Sequence, residues 1–174
     1  TGNGIIDGHG DVWRAMGKDR VTEKEWKQLI ATGVVSGDGK TWYPSESYAK
    51  GAKETASGNY AEGRSINDYL SIKDFFRPNL MVLTGCKHVL LEDVTFENSP
   101  AWCLHTLQCE HLTFEGVKVR NKANAQNGDG MDIESWSYVK VENCTLNCGD
   151  DGICIKSRPH EERKQTGRPS QYIV

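Results

Sequence analysis

The chain has 174 residues, a formal net charge of −3 and 26% charged residues. That length allows one domain with a real core; no basic stripe suggests nucleic acid, and the mild acidity says little about a partner. No apolar run approaches the ~20 residues of a membrane-spanning helix, and the opening Thr1-Gly2-Asn3-Gly4 has neither the charged start nor the apolar stretch of a secretory signal.

Residues 4–10, Gly-Ile-Ile-Asp-Gly-His-Gly, read as one strand and a tight turn. Thr22 with Glu25 three residues on, before Trp26, Leu29 and Ile30, is a capping-box signature for a short helix ending near Gly33. Residues 36–68 are polar and glycine-rich, with Trp42, Tyr43, Tyr48 and Tyr60 scattered among them. A polar surface insertion at about 17–68 is expected within a single domain, 1–174.

From Leu80 onward the chain repeats itself, which is the first signal to seek in a stacked fold. Cys86-Lys87-His88-Val89-Leu90-Leu91-Glu92-Asp93-Val94-Thr95-Phe96 matches the segments starting at Cys109 and at Trp136, 23 and then 27 residues further on. In each copy an alternating apolar pair (89/91, 112/114, 139/141) meets Glu and a turn-forming residue. A second pair (94/96, 117/119, 144/146) follows. Two short strands with a bend between them explain this pattern. Asn98 and Asn121 close their copies at equivalent positions and suit left-handed turns. One copy cannot bury its apolar face alone, whereas stacked copies can, so an all-β, right-handed parallel β-helix is expected. Ile173-Val174 would open a fourth copy after a polar loop at 159–170, and a strand starting there suggests part of a longer protein. Six cysteines fall mostly at core positions of the repeat and read as small buried side chains. Disulfides stay open, and no metal-ligand spacing occurs among the cysteines or the five histidines.

Two further segments align: Asn127-Gly128-Asp129-Gly130-Met131-Asp132-Ile133-Glu134-Ser135 and Gly149-Asp150-Asp151-Gly152-Ile153-Cys154-Ile155-Lys156-Ser157, offset by 22 residues. Stacked strands lie roughly 4.8 Å apart, so Asp129 and Asp151 are expected side by side with Asp150 next to them. Two carboxylates can grip a water while a third acts as an acid, and like charges raise one member's pKa. Stacked Asp-Gly turns also form polar ladders without chemistry, and carboxylates can hold calcium. All three readings stand on spacing alone. The same match puts Lys156 beside Glu134 as a cross-strand pair. Trp102 and Trp136 are candidates for stacking on a sugar or for packing.

The motifs Asn98-Ser99-Pro100-Ala101-Trp102-Cys103-Leu104-His105, Asn127-Gly128-Asp129-Gly130, Gly149-Asp150-Asp151 and Ile155-Lys156-Ser157 occur in an order that resembles the polygalacturonase family of pectin-degrading glycoside hydrolases, family 28. The residues 4–10 with Trp13 resemble that family's early glycine-rich strand; between 17 and 68 the likeness is thin. The resemblance implies inverting hydrolysis of α-galacturonosyl or related bonds in a pectic polysaccharide or oligosaccharide, without cofactor or metal. By the same resemblance the whole enzyme is secreted or periplasmic and monomeric, and it binds no nucleic acid or membrane. It assigns Asp150 as general acid, Asp129 and Asp151 as the water-activating pair, and Asn127, His105 and Lys156 to the sugar cleft. Departures are Gly128, where the family usually has threonine, and Gly152, where it often has cysteine. The family's later Gly-His-Gly and Arg-x-Lys elements are expected beyond Val174. The rival expectations are a calcium-dependent pectate lyase-like β-helix and a non-catalytic carbohydrate-binding β-helix.

Overall fold

A computed structural model describes residues 2–55, 61–157 and 169–174. The first strand, β1 (Ile5–Asp7), ends in a turn in which His9 takes φ +48° and donates its backbone N–H to Asp7 Oδ1 at 2.8 Å.

Residues Asp11–Arg77 form one of two compact units. Its short strands β2 (Met16–Gly17) and β3 (Val34–Val35) flank β4 (Thr41–Tyr43), all antiparallel. Helix α1 (Glu23–Ile30) carries the expected capping box. Thr22 Oγ1 accepts from the Glu25 N–H at 3.3 Å, and Glu25 Oε2 accepts from the Thr22 N–H at 2.8 Å. The polar stretch after Ser36 is more structured than its composition suggests. Ser45 caps α2 (Glu46–Glu54), which packs on a 3-10 segment at Ile66–Phe75. Trp42 and Tyr48 are buried, Tyr43 stacks on Tyr48, and Tyr48 meets Phe75 edge-on. A Cβ at Gly51 would stand 2.4 Å from the Phe75 Cβ, so only glycine lets α2 approach that ring. Tyr60 and most of the 159–170 loop lie outside the described residues.

The other unit, Thr1–Gly10 with Pro78–Val174, is a parallel β-helix. Its strands are β5 (Met81–Thr84), β6 (Lys87–Glu92), β7 (Thr95–Glu97), β8 (Leu104–Leu107), β9 (Glu110–Glu115), β10 (Lys118–Arg120), β11 (Met131–Glu134), β12 (Ser137–Glu142), β13 (Thr145–Asn147), β14 (Ile153–Lys156) and β15 (Gln171–Ile173). They stack into three parallel sheets: β1-β7-β10-β13, β5-β8-β11-β14 and β6-β9-β12-β15. The register is the one the repeat implies. Val89, Leu112, Val139 and Ile173 share one column, and Phe96, Val119 and Leu146 share another. Val94, Val117 and Cys144, each just before its strand, all join the core cluster. Equal residues align because parallel strands stack in register, and one face is sealed: Leu112, Phe114, Val117, Met131, Ile133 and Trp136 are at most 1% exposed. Trp136 is thus a core residue and not a surface available to a sugar.

The bends also repeat. Asp93, Gly116 and Asn143 take φ of +54°, +62° and +53°, the left-handed corner expected after each Glu. Asn98 is left-handed as well, at φ +52°. Asn121 does not follow it; its side chain is buried and does something else, described below. His88, His111, Tyr138 and Tyr172 stack at 4.8 Å intervals outside the helix, each within 7° of coplanar with the next. The six cysteines are free thiols.

Candidate active site

The site lies on the outward face of the sheet β5-β8-β11-β14. In β11, Met131 and Ile133 point into the core, so Asp132 and Glu134 point out. Parallel pairing places Val82, His105, Asp132 and Cys154 in one outward column, and Thr84, Leu107, Glu134 and Lys156 in the next. The 22-residue match is the true register, Met131 to Ile153 and Ile133 to Ile155, and it extends into the preceding turns, where the Gly130 N–H reaches the Asp151 carbonyl at 2.9 Å. Asp129 and Asp151 therefore stand together on neighbouring rungs.

Backbone closeness holds those turns. A Cβ at Gly130 would meet the Gly152 carbonyl at 2.5 Å, and one at Gly149 would meet the Lys122 carbonyl at 2.4 Å. Gly128 sits where a Cβ would fall 2.7 Å from the Ala125 Cβ, so this chain's departure at 128 fits its own neighbour; the position at Gly152 is open. Asn121 clamps the loop from within. Its Oδ1 accepts from the Ser99 N–H at 2.9 Å and its Nδ2 donates to the Gly128 carbonyl at 3.0 Å, next to Asp129. Asn127 is exposed at φ +54°, on the outer turn of that loop.

Asp129 is 6% exposed, and its Oδ1 has no hydrogen-bond partner. Burial, then the charge of Asp132, push its carboxyl up to about 6; Asp150 adds to the rise. Asp150 is exposed and turned along the chain, its Oδ1 accepting from the Asp151 N–H at 3.1 Å. Asp151 Oδ2 accepts from the Cys154 thiol at 3.0 Å, and the same sulfur is 3.9 Å from Asp129 Oδ2.

A second layer, which spacing does not reveal, surrounds Asp132 and Glu134. Asp132 is fully buried although it points outward, because Lys156 covers it with an ion pair while lying 3.6 Å from the centre of the Trp102 ring. Burial raises the Asp132 carboxyl and Lys156 opposes the rise. The expected pairing of Lys156 with Glu134 gives way to this one: strand register sets Cα neighbours, but a long side chain reaches the most desolvated charge. Glu134 instead meets His105 Nε2 at 3.2 Å. Asn79 Nδ2 lies 3.3 Å from the other ring nitrogen, Nδ1, so the imidazole is held at both ends. His105 and Lys156 thus belong to the site face, each already engaged by a carboxylate, and Trp102 carries the lysine.

Among the described residues, Asp129, Asp151 and Cys154 form the group whose ligand atoms gather within 4.8 Å of one another. Two carboxylates and a thiol fall short of the six to eight oxygens that calcium takes. What the arrangement can do is hold a water between two close carboxylates, one of them poised to titrate near neutrality, beside a third carboxylate open to solvent.

The model of Glycosyl hydrolases family 28 matches residues 17–162. The chain is 26% identical over 127 residues to a polygalacturonase of Juniperus ashei, covering 73% of this chain and 22% of that protein. It is 27% identical over 153 residues to a probable exopolygalacturonase B of Aspergillus flavus, covering 85% of this chain and 29% of that protein. Among solved structures it resembles a hyperthermoactive exopolygalacturonase from Thermotoga maritima (30% identity, TM-score 0.52, 72% of this chain, 26% of that one). In fold it also resembles a family 28 exopolygalacturonase of Yersinia enterocolitica (21% identity, TM-score 0.51, 87% of this chain, 25% of that one). The chain thus spans less than a third of the length of these relatives.

Proposed function

Since the chain belongs to glycosyl hydrolases family 28, we propose that the protein carrying it hydrolyses galacturonosyl or related linkages of pectic polysaccharide, with inversion at the anomeric carbon. The observation that carries the reading is the meeting of Asp129 and Asp151 on adjacent rungs, with Asp150 beside them and one carboxyl raised to about 6.

In this reading Asp129 and Asp151 bind and deprotonate the attacking water on one face of the sugar ring. Both must be ionised to do so, and Asp129 is the member whose titration sets the lower pH edge. Asp150, exposed and next to the pair along the chain, protonates the departing glycosidic oxygen. Asn127 and His105 line the cleft. Lys156 neutralises Asp132, which would otherwise repel a uronate substrate, and offers its remaining N–H groups to that substrate. Inversion follows from water attacking opposite the leaving group. A polymeric substrate of plant walls implies work outside the cytoplasm, secreted or periplasmic, and a monomer suffices.

The test is Asp150→Asn in the protein that carries this chain. Loss of several orders of magnitude in kcat with KM little changed, and no effect of EDTA on the unaltered protein, supports the reading. Near-normal activity of the variant refutes it, and the same result together with activity abolished by EDTA and unsaturated products puts a calcium-dependent lyase in its place. Glycan binding with no new reducing ends from the unaltered protein would point to a carbohydrate-binding β-helix.

A further inference from the structure

Cys154 has no part in the proposed chemistry, yet its sulfur stands between the two water-binding carboxylates. It lies in the outward column with Val82, His105 and Asp132, not in the core-facing column that β14 shares with Met131 and Ile133. Its surroundings differ from those of the other hydrogen-bonded cysteines. The thiols of Cys86, Cys109 and Cys144 reach backbone carbonyls: Thr84 at 3.5 Å, Leu107 at 3.1 Å and Glu142 at 3.2 Å. Cys154 reaches carboxylates: Asp151 Oδ2 at 3.0 Å, with Asp129 Oδ2 at 3.9 Å.

We infer that Cys154 is a positioning residue for the proposed hydrolysis, its thiol proton bridging Asp151 and Asp129 and holding the pair together in the ionised form that activates water. The inference rests on that proposed reaction. Two carboxylates on adjacent rungs repel, and without a donor between them one would turn away or keep a proton. A thiol can serve only while it stays protonated. Burial and the neighbouring carboxylate push Cys154 up to about 12, so it remains a donor across the working range and is no nucleophile there. The other titratable groups around the pair are Asp132 and Glu134 on β11, His105 on β8, Lys156 on β14, Asp150 in the turn and the Cys148 thiol, which burial holds protonated. None of them gives the pair a second bridging donor among the described hydrogen bonds.

The experiment compares Cys154→Ala and Cys154→Ser in the protein that carries this chain. One readout is the pH profile of kcat/KM; the other is titration of the pair's side-chain carboxyl carbons by NMR, which needs no turnover. A sulfur donor is weak, so the alanine variant should move the lower pH edge, and the carboxyl titration, up by about half a unit. A unit below that edge its kcat/KM should fall roughly threefold. Serine keeps a donor and should restore the unaltered edge. An alanine variant with an unmoved edge and unmoved carboxyl titration, or a serine variant that shifts as alanine does, overturns the inference. If no variant hydrolyses pectic substrate but alanine still moves the carboxyl titration, the thiol bridge stands and the reaction reading alone fails.

Discussion

Under the proposed reading the site holds its carboxylates ready to ionise water at some expense of stability, and Asp129 allows that expense to be measured. Its carboxyl titrates near 3.8 when free and is pushed to about 6 in the fold. Below the free value Asp129 is protonated in both states and costs nothing. As pH rises from about 4 through about 6 the unfolded chain loses the proton first, so stability falls; above 6 the penalty is complete. The two-unit rise corresponds to about 3 kcal/mol, and screening from the open side of the site reduces that to about 1–2 kcal/mol. Asp129→Asn preserves shape and removes the charge. In urea titrations the variant should match the unaltered protein at pH 4 and exceed it by about 1–2 kcal/mol at pH 7.5, while hydrolysis is lost. The subtraction cancels the groups that do not interact with Asp129; Asp132, whose charge raises Asp129, is eased by the same substitution and adds to the gain at pH 7.5. An advantage that does not grow with pH, or a variant less stable at pH 7.5, would refute the claim that Asp129 is held charged against its surroundings.

Lys156→Met leaves Asp132 buried without its partner, and should destabilise by about 3 kcal/mol near pH 7. The loss should shrink as pH falls toward 4 and Asp132 takes up a proton, which parallel urea titrations would show; a pH-independent loss would mean packing alone. Asn121→Ala strands the Ser99 N–H and the Gly128 carbonyl. A loss of about 2–3 kcal/mol and faster amide exchange in 122–130 are expected, and exchange unchanged there would contradict the clamp. Leu112→Asp puts an unpaired charge at a position 1% exposed and should cost over about 4 kcal/mol, read as loss of cooperative unfolding.

How far the sequence could be read follows from which features repeat. A 22-residue offset fixes register without ambiguity, because a parallel stack puts like beside like and a slip of one would turn Met131 and Ile133 outward. The Asp129–Asp151 pairing comes with it. Alternation gives a residue's face but not what covers that face. Asp132 therefore looks like an outward, solvated residue until Trp102 and Lys156 are seen over it. Cys154 was legible by the same alternation, being the outward residue between Ile153 and Ile155, but its composition class suggested a core thiol. Asn121 shares its place in the repeat with Asn98, yet the chain leaves that position for the 122–128 loop, and the side chain is drawn inward to bind it. The aromatic cluster around Tyr48 escaped because helix α2 has few apolar residues and buries only a tyrosine, an alanine and a glycine.

The central claim is that two carboxylates on adjacent rungs aim one water at a sugar carbon opposite the leaving group. Time-resolved NMR of a pectic oligosaccharide digested by the protein that carries this chain tests it most directly. The first-formed reducing end should be the β-anomer from an α-linked substrate, appearing before mutarotation and disappearing with Asp129→Asn, Asp150→Asn or Asp151→Asn. A first-formed α-anomer, or an unsaturated product, would contradict it.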